Sequence, residues 1–286
     1  MRQVFEDFVS ECECKEEYIT HYTTFEGFKS IIENKEFWFT RADYLNDISE
    51  GEYFANLYKE IVNEYQKEKA VSHSLLSFLK KDNIVWGKIN GKRKKENYIC
   101  SFSSDKNSLP MWNYYSKSNK TQGVNICLNK SDLEEQIKRS QNHLLYTFQV
   151  IYDENKQRKY LETAINKLIR IEKEGTEEEL ASAEFWFIVL IRHMKYSFKN
   201  PCFAYEKEIR FMVSLTEIDA NLIEYRINSE GILIPYIKVK IEINNPQITV
   251  APLANYELIK SSLDGFLKKN GITNFSIEKS TCPVRW

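Results

Sequence analysis

Two glutamates and an arginine at alternate positions, in the run Tyr205-Glu206-Lys207-Glu208-Ile209-Arg210, form the pattern in this chain best suited to chemistry. In a strand, residues two apart point to one face, so Glu206, Glu208 and Arg210 are predicted to share a side. Carboxylates held in that way can stabilise a developing positive charge or exchange a proton with a bound group. The competing reading is a solvated strand face whose opposite charges pair in water. His21, within Tyr18-Ile19-Thr20-His21-Tyr22, poses a similar choice between a ligand contact and a histidine satisfied by its neighbours. Trp112 and Tyr115 supply aromatic surface, with core packing as the alternative for Trp112. Asn46, Asp47 and Glu50 read as a turn with Asx capping, or as a ligand or metal contact.

Several other chemistries lack their signatures. The six cysteines, at 12, 14, 100, 127, 202 and 282, are scattered, and Cys12 and Cys14 have no zinc spacing, so free thiols and no metal are expected. No G-x-G-x-x-G or G-x-x-x-x-G-K-[ST] run occurs. Forty Lys and Arg against 41 Asp and Glu give a net charge of −1, which argues against general binding to polyanions. The one basic cluster, Lys88 to Lys95 with Gly87 and Gly91 beside it, reads as an exposed hairpin or loop. The longest apolar run, Phe185 to Ile191, is far short of the ~20 residues that span a bilayer, and the first residues are acidic with no apolar core of a secretory signal. No membrane partner and a cytoplasmic location are therefore expected.

The elements that would position these residues follow from periodicity. Strands are predicted at 18–22, 36–40, 98–103, 123–128, 144–152, 209–215, 231–243, 247–251 and 275–278. Helices are predicted at 25–34 with Thr24 as N-cap, through 53–81, through 155–196 with a break at Gly175-Thr176, and at 255–270 between Asn255 and Gly271. The chain has 286 residues, 42% of them hydrophobic, which is enough for a substantial core. Strands at both ends with helices between predict one α+β domain, 1–286, carrying a helical insertion at about 155–199.

Several of these segments, in order, resemble the bacterial domain of unknown function numbered 2971. They are His21-Tyr22-Thr23-Thr24 with Gly27, Leu45-Asn46-Asp47 with Glu50, Ser101-Phe102-Ser103 leading to Met111-Trp112 and Tyr115, Gly123, Tyr205 to Arg210, and the tail Ser280 to Arg285. The opening His-x-Thr strand and the late Glu-rich strand start are in turn similar to the layout of ADP-ribosyltransferases. That likeness implies a split, mostly antiparallel sheet flanked by helices, with NAD as the substrate.

Breaking the nicotinamide–ribose bond passes through an oxocarbenium-like cation, which calls for a carboxylate, a sugar-orienting donor and an aromatic surface. On this resemblance Glu208 carries the catalytic charge and Glu206 assists or positions an acceptor. His21 binds the ribose or adenosine end, Tyr22 and Thr23 continue its strand, Trp112 or Tyr115 stacks on nicotinamide, and Arg210 completes the face. The implied activity is ADP-ribosyl transfer or NAD hydrolysis, with a protein or nucleic acid as acceptor and a toxin or phage-defence role. Two alternatives stand beside it. One is a metal-dependent nuclease using Asp47, Glu50, Glu206 and Glu208, although no ligand spacing supports it; the other is a non-catalytic module that binds a nucleotide or a protein.

Overall fold

Alternation of bulky apolar residues with Thr, His and Asn builds strands whose two faces differ, and these strands carry His21, Tyr22, Thr23, Glu208 and Arg210. The computed structural model describes residues 1–45, 50–68, 71–86, 88–89, 92–93, 96–118, 121–140, 145–228 and 230–283. Asn46, Asp47, Gly87, Gly91, Leu144 and Arg285 lie outside the described residues, as do the side chains of Glu50 and of the basic cluster at 88–95.

The first half of the chain runs α1 (Arg2–Glu11), β1 (Tyr18–Thr23), α2 (Phe25–Asn34), β2 (Glu36–Arg41), α3 (Glu50–Lys67), α4 (His73–Leu79), α5 (Asp82–Trp86), β3 (Lys88–Ile89), β4 (Lys92–Arg93), β5 (Glu96–Ser103), α6 (Leu109–Tyr115), β6 (Lys117–Ser118), β7 (Thr121–Gln122), β8 (Val124–Asn129) and α7 (Lys130–Ser140). The second half runs β9 (Leu145–Gln149), α8 (Glu154–Glu174), α9 (Glu177–Ser197), β10 (Glu208–Leu215), β11 (Glu224–Ile227), β12 (Leu233–Lys240), β13 (Gln247–Val250), α10 (Tyr256–Lys269) and β14 (Ser276–Lys279). The architecture is α+β. The stretch expected as one helix over 53–81 is two, α3 and α4, because Ser72 starts a new helix by accepting from Leu75 N; α4 ends at Leu79 and α5 follows from Asp82. The segment 110–115 is helical: Pro110 sits in the first turn, where a missing N–H costs nothing.

The fold comprises two compact units. Unit 1 contains residues 1–13, 43–96 and 148–204 and is helical. Its core is Phe8, Phe54, Ile61, Leu161, Leu168, Phe187 and Leu190, all buried. Buried Gln157 ties α8 down by donating to the carbonyls of Ile151 (2.6 Å) and Lys199 (2.9 Å), and it accepts from Tyr53 Oη at 2.6 Å. A capping box at Thr176 and Glu179 starts α9, so the two long helices are separated where Gly175-Thr176 predicts.

Unit 2 contains residues 14–42, 97–147 and 205–286. It is built on a ten-stranded, mostly antiparallel sheet in the order β11-β12-β2-β5-β1-β8-β13-β14, with β10 beside β5 and β9 beside β10. β1 and β8 pair over six positions, and β13 and β14 run parallel. Among the described residues β5 pairs with β2 at Ile99 and Tyr98 and with β1 at Ser103, so β2 and β1 take opposite ends of it. Ile19, Phe28, Phe37, Phe39, Phe102, Ile126, Phe211, Val213, Ile248 and Leu267 fill the core between sheet and helices. α2 begins at Thr24, whose side chain accepts from Gly27 N, and α10 is followed by Gly271 in the left-handed region, both as the sequence predicts.

Among the described residues no helix is long and apolar enough to cross a membrane. The six cysteines are free.

Candidate functional site

The carboxylate strip is not a solvated face. Glu206, Glu208 and Arg210 retain 3%, 5% and 1% of their exposure. They differ from expectation in one respect: only Glu208 and Arg210 lie in a strand. Glu206 ends a 3₁₀ turn (Pro201–Glu206), and Lys207 follows it with φ of +44°, in the left-handed region. The alternation that would align 206 with 208 is therefore broken by the backbone.

Lys207 is held in that conformation by the loop after β5. Its carbonyl accepts from Ser104 N at 3.1 Å, and its ammonium pairs with Asp105 Oδ2 at 3.0 Å. Ser103 Oγ donates to the Glu206 carbonyl at 2.6 Å. A non-glycine residue in the left-handed region costs roughly 1 kcal/mol or more, and these bonds offset that cost.

Glu208 and Arg210 form a two-pronged ion pair. Arg210 Nε donates to Glu208 Oε1 and Nη2 to Oε2, each at 2.9 Å. Ser101 Oγ, on β5, donates to Oε1 at 2.5 Å. Glu206 receives the hydroxyl of Tyr115 from α6, also at 2.5 Å. Burial first and the Glu206 carboxylate second push the Tyr115 phenol up from its ordinary pKa, so it remains a proton-bearing donor.

His21 joins this cluster through Ser101. A carbonyl can only accept, so the 3.0 Å contact to Ser101 O fixes the proton on His21 Nδ1 and leaves Nε2 as an acceptor in the neutral ring. The contact lies where β1 diverges from β5, and the side chain takes up a carbonyl there. Phe37 and Phe102 flank the ring at 5.2 and 5.4 Å. Burial holds the His21 pKa below its ordinary value, although the Ser101 carbonyl pulls the other way.

The remaining expected residues fall into the interior. Trp112 is fully buried and meets Tyr22 edge-on at 4.8 Å, so it offers no free face for a stacked ring. Tyr22 is a buried hinge pin: its hydroxyl donates to Asp105 O at 2.7 Å and accepts from Ser108 N at 3.0 Å. Thr23 is enclosed by two glycines. A Cβ at Gly27 would lie 2.2 Å from Thr23 Oγ1, and one at Gly123 would lie 2.3 Å from the Thr23 carbonyl. Half-exposed aromatic surface near the carboxylates comes instead from Tyr115 and Tyr205, the latter 6.0 Å from the exposed ring of Tyr114.

The structure thus links His21, Tyr115, Glu206, Glu208 and Arg210 to Ser101 and Ser103, drawing on β1, β5, α6 and β10. The two serines carry hydroxyls into this cluster, a role that the alternation of Ser101 and Ser103 with Cys100 and Phe102 in β5 hints at. Among the described residues no group of three or more His, Cys, Asp or Glu is arranged to hold a metal ion.

The family described as "Protein of unknown function (DUF2971)" matches residues 111–211, a span similar to that family which contains Trp112, Tyr115, Glu206, Glu208 and Arg210 but not His21, Tyr22 or Thr23. No curated protein and no solved structure matches the chain.

Proposed function

We propose that unit 2 carries an NAD-using site, ADP-ribosyltransferase-like or an NAD glycohydrolase, built on Glu206 and Glu208. The observation that carries this reading is the burial of two carboxylates, from one short segment, against hydroxyls supplied by two other segments, with the His21 imidazole bonded to the backbone of one of them. Buried charge costs several kcal/mol per ion before compensation, and such clusters concentrate at functional sites. The pairing of β2 and β1 at opposite ends of β5 also suits a split sheet of the kind that grips NAD.

In this reading Glu208, oriented by Arg210 and Ser101, faces the ribose as its bond to nicotinamide breaks. The bonding electrons leave with nicotinamide, positive charge spreads over C1′ and the ring oxygen, and the carboxylate stabilises it. Water or an acceptor hydroxyl or carboxylate then bonds to C1′ and gives up its proton when it carries one. Glu206 positions that acceptor, His21 Nε2 accepts from a ribose hydroxyl, and Tyr115 provides the aromatic edge. Trp112 acts only as packing beneath Tyr22.

The test is direct. Full-length protein incubated with NAD is expected to release nicotinamide, and Glu208→Gln is expected to lose that release while retaining the wild-type circular dichroism spectrum. Absence of both nicotinamide release and a thermal shift with NAD overturns the proposal. A second reading, a non-catalytic nucleotide- or protein-binding module, is favoured by one observation: Glu208 already has a complete ion pair with Arg210. A thermal shift with NAD that is not accompanied by turnover would select it.

A further inference from the structure

β11 ends the sheet and pairs with β12 alone. The register sets Glu224 opposite Tyr236, Tyr225 opposite Pro235, Arg226 opposite Ile234 and Ile227 opposite Leu233. In an antiparallel ladder, facing residues alternate between pairs that exchange two backbone bonds and pairs that exchange none. Pro235 has no N–H to give, so Tyr225 belongs to a pair of the second kind. The hairpin end fixes the same phase, because Asn228 N donates to Ile232 O at 3.0 Å. Glu224 and Arg226 therefore bond inward to β12, and the N–H and C=O groups of Tyr225 and Ile227 face outward.

Sheet edges are ordinarily guarded by a proline, a bulge or an inward-pointing charge. β11 is four exposed residues, Glu224-Tyr225-Arg226-Ile227, with no proline and no bulge; its shortness and its two charges, Glu224 beside Lys238 at 2.6 Å and Arg226 donating to Thr40 Oγ1 at 3.1 Å, are its guard. One face carries apolar side chains, Tyr225 at 58% and Ile227 at 71% exposure, next to exposed Leu233. The other face carries Glu224 and Arg226.

We infer that β11 pairs antiparallel with β11 of a second copy of this chain, about a two-fold axis through Tyr225, so that two sheets join edge to edge. The charges choose the register. An axis through Arg226 would set arginine against arginine, whereas an axis through Tyr225 sets Glu224 against Arg226 twice, once on each side. The same axis makes Tyr225 and its mate a bonded pair and opposes Ile227 to Ile223. A ladder this short buries less than the ~1,200 Å² of a standard interface, so the dimer is reversible and depends on concentration.

Sedimentation velocity of the full chain over about a hundredfold range of concentration should show a shift from monomer to dimer. Tyr225→Pro deletes an outward N–H and no inward bond, and it should abolish the dimer while leaving the melting temperature close to wild type. Arg226→Glu should weaken association about tenfold, and adding Glu224→Arg should restore it. Tyr225→Cys should cross-link on mild oxidation, because facing residues of a bonded pair lie ~5.5 Å apart, within disulfide reach. Ile227→Cys should not, and wild type controls for the exposed Cys202. A monomer throughout the range, including one that binds an extended peptide from another protein at this edge, overturns the inference, as does a dimer indifferent to the charge reversal. If Tyr225→Pro does not fold, the charge swap and the cysteine pair decide the matter.

Discussion

Replacing Glu208 by Gln removes the charge that faces Arg210 in a place almost without water. Deleting one partner of a buried pair costs about 3–5 kcal/mol, and Gln, which keeps part of the hydrogen bonding, belongs at the low end. Arg210→Met should cost a comparable amount. The double variant should be less destabilised than the two singles combined by at least ~2 kcal/mol, because it removes both charges of the pair. Urea denaturation of the three variants measures this coupling, and additive losses would show that the pair contributes nothing as a pair. His21 gives a pH signature of its own. With its folded pKa held below 6.5, the unfolded chain takes up the proton first, so stability is complete above pH ~6.5 and falls as pH drops from there toward the folded pKa. The slope is at most ~1.4 kcal/mol per pH unit for one histidine. His193 in unit 1 is shifted in the same direction, so His21→Asn should flatten part of the decline in melting temperature between pH 7 and 5 rather than all of it.

At the scale of elements, the junction of β1 and α2 depends on close backbone approach. A Cβ on Gly123 would lie 2.3 Å from the Thr23 carbonyl and 2.8 Å from Thr24 Cα, and neither backbone atom can swing aside as a side chain would. Gly123→Ala should therefore cost about 3 kcal/mol or more. Gly265, within α10, has open space around its Cα, and Gly265→Ala should stabilise the protein by about 0.5–1 kcal/mol. Opposite shifts in melting temperature are the expected result. Strands and helices with a strong period were legible: the 18–22 strand, the Thr24 cap, the 209–215 strand and the α8–α9 break all occupy the expected places. Elements set by tertiary context were not. β11 shows only two apolar residues in alternation, and α1 starts without a side-chain cap. The carboxylate cluster was half legible. Glu208 and Arg210 followed from strand alternation, but no local signal marks Lys207 as left-handed, since lysine has no special tolerance for that region and the loop at 103–105 imposes it from a distance. The burial of Trp112, likewise, depends on Tyr22 almost a hundred residues away.

Across the whole molecule, the chain alternates between the two units in six segments and so passes from one to the other five times, at 13/14, 42/43, 96/97, 147/148 and 204/205. No Pro-, Gly- or Ser-rich linker marks those passages, which is why the sequence reads as a single continuous domain. The order of the segments also gives biosynthesis a direction. A ribosome makes the chain from its N-terminal side, and domains generally close as their chain emerges. The last segment of unit 1 ends at Ala204, and unit 2 waits for everything from Tyr205 onward, including β10 to β14. His21, Ser101 and Tyr115 are therefore translated early and idle, while Glu206, Glu208 and Arg210 lead the segment that completes their unit. A nascent chain arrested before residue 205 can already contain all of the helical unit and still lack both carboxylates, so the polar cluster cannot form until the third segment of unit 2 has begun to emerge.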